Sequence, residues 1–352
     1  MPTADVATIL RTRGPEVSRA WRARFIEAYP QAGMMLPPGD AMPPILLRAA
    51  ASVLEHSPEA VRDELRALAI DLRRTGFPAD EYPQAVQLLI DAVGSFLADA
   101  NADAGDNGSE DFAALRDAGE IMRETASEMD YRGVPAATAA QVTSVEDHGV
   151  VQVVRLEAGA QVLYSPGQVI PVMSPARPGE WMGLVPALPS NPLGQLEFHI
   201  PAGQPVEAGD WLTLGAPRGG VRDDVDRQLL LVAAEGGLAA AKALVFHYLE
   251  QPQPPEVHLV VGAREVAGLY DTAALEALAA TQSWLDVTFV AESRLEVPLE
   301  QVVAGAGMWW ARGVIVCADE GRAAGLKAAL ETAGAPNVQV IAHDAAPAWF
   351  SA

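Results

Sequence analysis

The chain holds one cysteine, Cys317, in 352 residues. An internal disulfide framework or a thiolate-rich zinc site needs more. Lysine is almost as scarce, occurring only as Lys242 and Lys327. The 24 Lys+Arg are outnumbered by 46 Asp+Glu, for a formal net charge of −22. Phosphate backbones and anionic lipid surfaces reward the opposite balance, so nucleic-acid binding and membrane association are not expected. No apolar run reaches about 18 residues, and the first ten residues lack the basic stretch and apolar core of a secretory leader. The expectation is a cytoplasmic chain without direct membrane insertion. The six histidines include no pair at metal-ligand spacing, so no metal site is expected, and no Gly-rich phosphate loop ending in lysine is present.

What is there is an ordinary globular composition, 50% hydrophobic and 20% charged, long enough for two or three domains at about 150 residues each. Residues 1–134 read as an all-α domain. Pro15-Glu16-Val17 opens a helix through Trp21 and Phe25, ending at Tyr29-Pro30. Val61, Leu65, Leu68, Ala69 and Leu72 recur at helical spacing, as do Tyr82, Val86, Leu89, Ile90, Val93 and Leu97. Asn101–Gly108 reads as a loop, and Asp111 to Met129 as the last helix. Residues 135–223 change texture: short β-branched runs, among them Val150–Leu156, Ala160–Tyr164 and Leu196–Ile200, are punctuated by Gly and Pro. That spacing predicts an antiparallel barrel. From 224 to 352, apolar strands alternate with helices, which predicts a parallel α/β sheet.

Particular segments sharpen this. Tyr164-Ser165-Pro166-Gly167-Gln168-Val169 and Asp210-Trp211-Leu212-Thr213-Leu214 resemble two strands of ferredoxin-reductase-type flavin domains. Val260-Val261-Gly262-Ala263-Arg264, followed by Leu269-Tyr270, resembles the pyridine-nucleotide half of the same module. Leu72-Arg73-Arg74-Thr75-Gly76 through Tyr82 resembles the proximal region of a flavohaemoglobin. The resemblance to flavohaemoglobins covers nearly the whole chain. It implies a globin-like domain (1–134), an FAD-binding-type barrel (135–223) and an NAD(P)-binding-like domain (224–352).

The residues that carry the family's chemistry have departed. The resemblance places the haem-ligating histidine ten residues before Tyr82, where Leu72 stands, and the distal tyrosine at Arg22. The one histidine in residues 1–134, His56, falls a helix too early to substitute. Apolar residues such as Leu72 are expected to fill the space of a haem. The family's flavin-gripping Arg-x-Tyr-Ser becomes Met182, Gly183, Leu184 and Val185. The helix that would meet the flavin pyrophosphate is replaced by a short loop between Ile200 and Gly209. Of the nucleotide turn that the resemblance implies, Gly237 survives, preceded by Gly236 at the variable position, whereas its first two glycines are Ala234 and Glu235 and its proline is Ala240; Glu235 brings a charge of the wrong sign for an anionic ligand. Cys317 keeps its family position but is followed by Ala318-Asp319; without a nearby base it reads as a small buried hydrophobe.

These losses lead to the expectation of a cofactor-free pseudoenzyme with no catalytic residues, carrying neither haem nor FAD and at most weakly binding NAD(P). Its partner would be another protein or a second copy, met through Trp309, Trp310, Trp349 or Phe350. The alternatives are a divergent FAD/NAD(P)H oxidoreductase with altered sites, using Arg177, Arg218 or Arg222 as substitute cations, and a ligand sensor that works without haem.

Overall fold

The computed structural model describes residues 5–100, 108–222, 228–307, 309–342, 344, 347 and 349–350. The predicted loop at 101–108, but for Gly108, and the predicted boundary at 223/224 lie outside them. The chain divides into two compact units. The helical unit takes in the N-terminal residues to Ala137, the segment Arg177–Trp181, and Trp349 and Phe350; barrel and sheet together form the second.

Helix α1 spans Val6–Ala28, and the Asp5 carboxylate caps it by accepting from the Thr8 amide at 2.6 Å. The sequence predicts a fresh helix at Pro15. It forms: two helical stretches meet at Arg13, whose backbone is non-helical (φ −122°, ψ 19°), and the second carries Pro15 in its first turn. The N–H that Pro15 lacks would be unpaired in that first turn in any case, and Val6, Ile9 and Leu10 before the kink bury in the same core as Val17, Trp21 and Phe25 after it. Helices α2 (Pro44–His56), α3 (Arg62–Leu72), α4 (Tyr82–Ala100) and α5 (Ser109–Tyr131) complete the unit. Trp21 stacks on Phe25 at 4.5 Å between ring centroids, and Phe77 on Tyr82 at 5.8 Å.

The second unit begins with strands β1 (Thr138–Asp147), β2 (Val151–Ala158), β3 (Ile170–Met173), β4 (Met182–Leu184), β5 (Gln195–Pro201) and β6 (Trp211–Leu214). Their order is β4-β3-β6-β1-β2-β5, all antiparallel. A single bridge between Pro186 and Phe198 joins the two edges and nearly closes the barrel. The strand predicted at Ala160–Tyr164 does not form. Side chains hold that segment instead: the Ser190 hydroxyl donates to the Val162 carbonyl and the Tyr164 hydroxyl to the Leu188 carbonyl.

The rest alternates strand and helix: β7 (Gln228–Ala234), α6 (Leu238–Leu249), β8 (Glu256–Ala263), α7 (Thr272–Thr281), β9 (Leu285–Ala291), α8 (Glu292–Leu295), α9 (Leu299–Gly305), β10 (Gly313–Ala318), α10 (Glu320–Thr332) and β11 (Val338–Ala342). The sheet is parallel in the order β11-β10-β7-β8-β9. Both faces are covered. Leu229, Leu231 and Ala233 pack into one apolar cluster, while Leu230, Val232 and Ala234 pack into another, as the two-residue period of a strand requires. Among the described residues, no helix is long and apolar enough to cross a membrane.

Candidate functional site

Three places can hold a ligand or carry chemistry. The first is a cavity of about 190 Å³ inside the helical unit. Its walls are mostly apolar and include Trp21, Phe25, Leu65, Leu68 and Met122, with Trp181 from the later segment. Leu72 is one wall, half-buried. It therefore does not fill the space as expected: the helices hold their side chains against one another and leave the centre open. Among the described residues, no histidine or cysteine lines the cavity. His56 is exposed at the end of α2. A haem held by an imidazole at position 72 does not fit these residues. Tyr82 is buried, and among the described residues its hydroxyl has no hydrogen-bond partner. Burial drives its pKa far above the ordinary tyrosine range, so it is a neutral phenol.

Arg22, at the predicted distal position, does something the sequence did not suggest. It is buried and donates to the carbonyls of Ala41 (3.1 Å) and Pro37 (2.9 Å). Beside it, Ser18 accepts from the Met42 amide at 2.8 Å. These bonds satisfy backbone groups of the Pro-rich segment that supplies Met35, Leu36, Pro37, Met42 and Pro43 to the cavity wall.

The second place is the crevice outside the carboxyl ends of β7 and β10. The chain leaves β7 toward β8 and β9 on one side, and β10 and β11 lie on the other. This is a topological switch point, where doubly wound sheets bind ligands. The turn there is Glu235-Gly236-Gly237, leading into α6. A Cβ on Gly237 would lie 1.9 Å from the Cys317 carbonyl oxygen. Only glycine allows the turn to press this closely against β10. Glu235 takes a left-handed conformation (φ 52°) and lies 3.6 Å from Arg264. The wrong-sign charge expected at Glu235 is thus offset by a local cation. Leu184, Val185, His199 and Ile341 complete a small pocket with Gly236 and Gly237.

The positions that the resemblance assigns to gripping a flavin are Met182, Leu184 and Val185. Met182, Gly183 and Leu184 form β4, and Leu184 and Val185 are buried apolar groups. They offer no cation and no hydroxyl, so an FAD pyrophosphate gripped in the family's manner does not fit. Of the proposed substitutes, Arg177 lies 3.9 Å from Glu180, and the Arg218 backbone pairs with Val169. Gln168 locks the Pro166-Gly167 turn by accepting from the Ser165 amide at 2.8 Å and donating to the Gly219 carbonyl at 3.2 Å. Cys317 is fully buried, and burial raises its thiol pKa far above normal, which removes it as a nucleophile. Asp319 caps α10, accepting from the Arg322 amide at 2.9 Å.

The third place is a buried ionic cluster that sequence reasoning missed. Lys242 of α6 donates to Glu197 of β5 at 2.8 Å and pairs with Asp271, just before α7. Arg155 donates to the other Glu197 oxygen at 2.9 Å. His199 meets Glu197 at 3.2 Å through Nε2 and the Tyr270 hydroxyl at 2.7 Å through Nδ1. Burial works against the Glu197 charge, but His199 and Lys242 outweigh it and hold the carboxyl well below its usual range. Burial also lowers the His199 pKa, so the imidazole is neutral. The signal was available: Lys242 is the only charged residue in the apolar stretch Leu238–Val245. Glu197, His199 and Asp271 are close enough to share an ion, but the Lys242 ammonium bridges two of them as the cation.

The expected partner-binding aromatics divide. Trp309 is 1% exposed and Phe350 7% exposed, so neither is a surface anchor. Trp309 packs under the sheet cluster of Val314 and Val316, and Phe350, with Trp349 against it, joins the helical core. Trp310 alone is exposed.

No protein-family profile matches the chain. It is similar to a curated NAD(P)H-flavin reductase of Aliivibrio fischeri, 29% identical over 113 residues, a match spanning 28% of this chain and 47% of the relative, just under half its length. Among solved structures it is similar to a flavohaemoglobin of Malassezia yamatoensis with bound FAD and haem, with TM-score 0.75, 16% identity and 96% of each chain covered. The ferredoxin reductase of carbazole 1,9a-dioxygenase is similar at TM-score 0.51 and 20% identity, covering 59% of this chain and 69% of that one. These relatives overturn the expectation of a scaffold without cofactors, because the proteins that share it carry or use FAD, haem or NAD(P)H. The fold is that of the flavohaemoglobins: a globin-like helical unit joined to a ferredoxin-reductase-type barrel and nucleotide-binding sheet.

Proposed function

We propose that the second unit is an NAD(P)H-dependent oxidoreductase module with altered cofactor sites, which reduces a flavin taken up as substrate. The observation that carries this is the Gly236-Gly237 turn at the switch point, where Gly237 meets a close-packing demand only glycine satisfies. Gly236, Gly237 and the first turn of α6 would hold the nucleotide's phosphates through backbone N–H groups, with Arg264 offsetting Glu235. The bound nucleotide supplies a hydride. Leu184, Val185 and His199 are buried around a space of only about 10 Å³, so a flavin ring would lie in the crevice outside it. With no cation or hydroxyl at Met182, Leu184 and Val185, nothing there grips a pyrophosphate tail. The name of the Aliivibrio relative, an NAD(P)H-flavin reductase, supports the same reading.

The test is steady-state oxidation of NADH and NADPH with riboflavin, FMN and FAD as acceptors, followed by loss of the reduced-nicotinamide absorbance. The expected result is saturable, enzyme-dependent turnover with similar KM for all three flavins. Turnover no faster than the uncatalysed mixture would refute the reading. A stoichiometric, tightly retained FAD would refute the substrate role of the flavin.

A further inference from the structure

We propose that Lys242 and Asp271 are positioning residues: their bridge to Glu197 fixes the Gly236-Gly237 turn against the barrel, so that a nucleotide on the turn and a flavin in the crevice meet in one register. The consequence for hydride transfer rests on the oxidoreductase reading above; the fixing of the turn does not.

One barrel strand reaches both connections that border the crevice. Glu197 and His199 lie two apart on β5, and a strand turns such residues to the same face. Glu197 accepts from Lys242 in the second turn of α6. His199 bonds the Tyr270 hydroxyl, next to Asp271, and closes the small pocket lined by Gly236 and Gly237. Apolar packing also joins these parts, since Val151 and Val153 of β2 share a cluster with Leu244 and Val245 of α6. Such packing is non-directional and presses surfaces together without choosing a register. A buried ion pair with defined partners does choose one. Glu197 does not need Lys242 to be paired, because Arg155 and His199 already meet it. What Lys242 alone supplies is the link from Glu197 to Asp271.

Asp271 carries the second observation. Asp5 and Asp319 stand before α1 and α10 in extended backbone, and each accepts from an amide of its helix's first turn. Asp271 holds the same position before α7, yet its backbone is left-handed (φ 57°), and among the described residues its carboxylate makes no cap bond. It is given to Lys242 instead. A cap is forgone and an unfavourable backbone accepted for the sake of one contact. Local rules broken together in this way mark a position held for function. The function here is placement: reacting atoms must approach within about 3–3.5 Å, and a misplacement of about 1 Å costs on the order of a hundredfold in rate.

The experiment compares three full chains: the parent, Lys242→Met/Asp271→Asn and Leu330→Ala. The double variant removes the cation together with its anion, so no lone charge is left, and asparagine tolerates the left-handed backbone. Leu330 is fully buried in α10 on the other face of the sheet, and its truncation destabilises the same unit through a cavity, away from the turn. All three are assayed well below their thermal midpoints. In the double variant, hydrogen exchange at residues 235–245 is expected to quicken about tenfold or more, with no such change in Leu330→Ala. Its kcat is expected to fall about ten- to a hundredfold, while KM for nucleotide and flavin stays within about threefold. Leu330→Ala is expected to keep the parent's kcat within about twofold. Exchange at 235–245 no faster than in Leu330→Ala overturns the proposal. So does a kcat in the double variant equal to that of the parent or of Leu330→Ala. A parent without turnover refutes the oxidoreductase reading instead, and the exchange comparison then decides by itself whether the bridge holds the turn.

Discussion

The chain's two lysines make a controlled pair. Lys242 is 9% exposed and holds two carboxylates, Glu197 at 2.8 Å and Asp271. Lys327 lies on an exposed helix face, 3.8 Å from Glu331. Methionine keeps the lysine stem and removes the charge. In Lys242→Met, Glu197 retains Arg155 and His199, but the buried Glu197 carboxylate then faces the half-buried Asp271 carboxylate with no cation between them. Breaking a buried pair by removing one partner costs about 3–5 kcal/mol, because it leaves an uncompensated charge. For a unit of this size, each kcal/mol moves the transition by about 2–4 °C, so a fall of about 6–20 °C is expected. Lys327→Met, at an exposed pair, is expected to cost less than about 1 kcal/mol. Calorimetry of the full chain measures both. Hydrogen exchange in the peptides of β5, α6 and the start of α7 assigns the shifted transition to the second unit. If Lys242→Met moves that transition no more than Lys327→Met, the cluster is not the ionic keystone described here, and the argument from its burial fails.

Other consequences follow from the same geometry. Gly237→Ala drives a Cβ into the Cys317 carbonyl; it is expected to cost about 1–3 kcal/mol and to abolish nucleotide binding, and wild-type nucleotide affinity by calorimetry would refute the close-approach argument. Arg22→Ala removes the donors to Pro37 and Ala41; a loss of about 1.5–3 kcal/mol is expected, with faster proteolysis between Met34 and Pro43 than at any other site. Lowering the pH should destabilise the second unit: burial depresses the His199 pKa and its partners hold that of Glu197 down, so the unfolded chain binds more protons than the folded one and stability falls continuously from about pH 7 to about pH 4. A thermal midpoint flat over that range, or an unchanged slope in His199→Asn, would contradict this.

The architecture was legible because it rests on periodicity. The unbroken apolar run of β7, buried on both faces, and the helical stripe of Tyr82, Val86, Leu89 and Val93 report burial directly. What periodicity cannot report is how far a core closes. Leu72 was read as filler, yet its neighbours brace one another and leave a cavity. The aromatic signal was ambiguous for a similar reason: Trp309 and Trp310 are adjacent, but one is buried and the other exposed, since successive residues in extended or irregular backbone face opposite ways. The ionic cluster was invisible as a motif because Arg155, Glu197, Lys242 and Asp271 come from four separate elements. Each alone reads as a solvated charge, and only the apolar setting of Lys242 hinted otherwise.

The cofactor positions teach a narrower lesson. Reading lost side chains as lost binding weighs side chains alone, whereas phosphate recognition at a switch point is largely a backbone property. Glu235 is the sharpest case, since its charge seemed to exclude an anionic ligand. Its pair with Arg264 is solvent-exposed, at 3.6 Å with the arginine 70% exposed, so it adds little to stability. Its effect belongs in binding. Arg264→Ala is expected to leave the thermal midpoint unchanged and to raise KM for NADH or NADPH about two- to fivefold at low salt, the equivalent of about 0.5–1 kcal/mol. The difference should shrink as salt screens the site. Glu235→Gln is expected to move KM the opposite way. If Arg264→Ala lowers the midpoint and leaves KM alone, the pair is a structural tie, and Glu235 stands as a charge that repels the nucleotide.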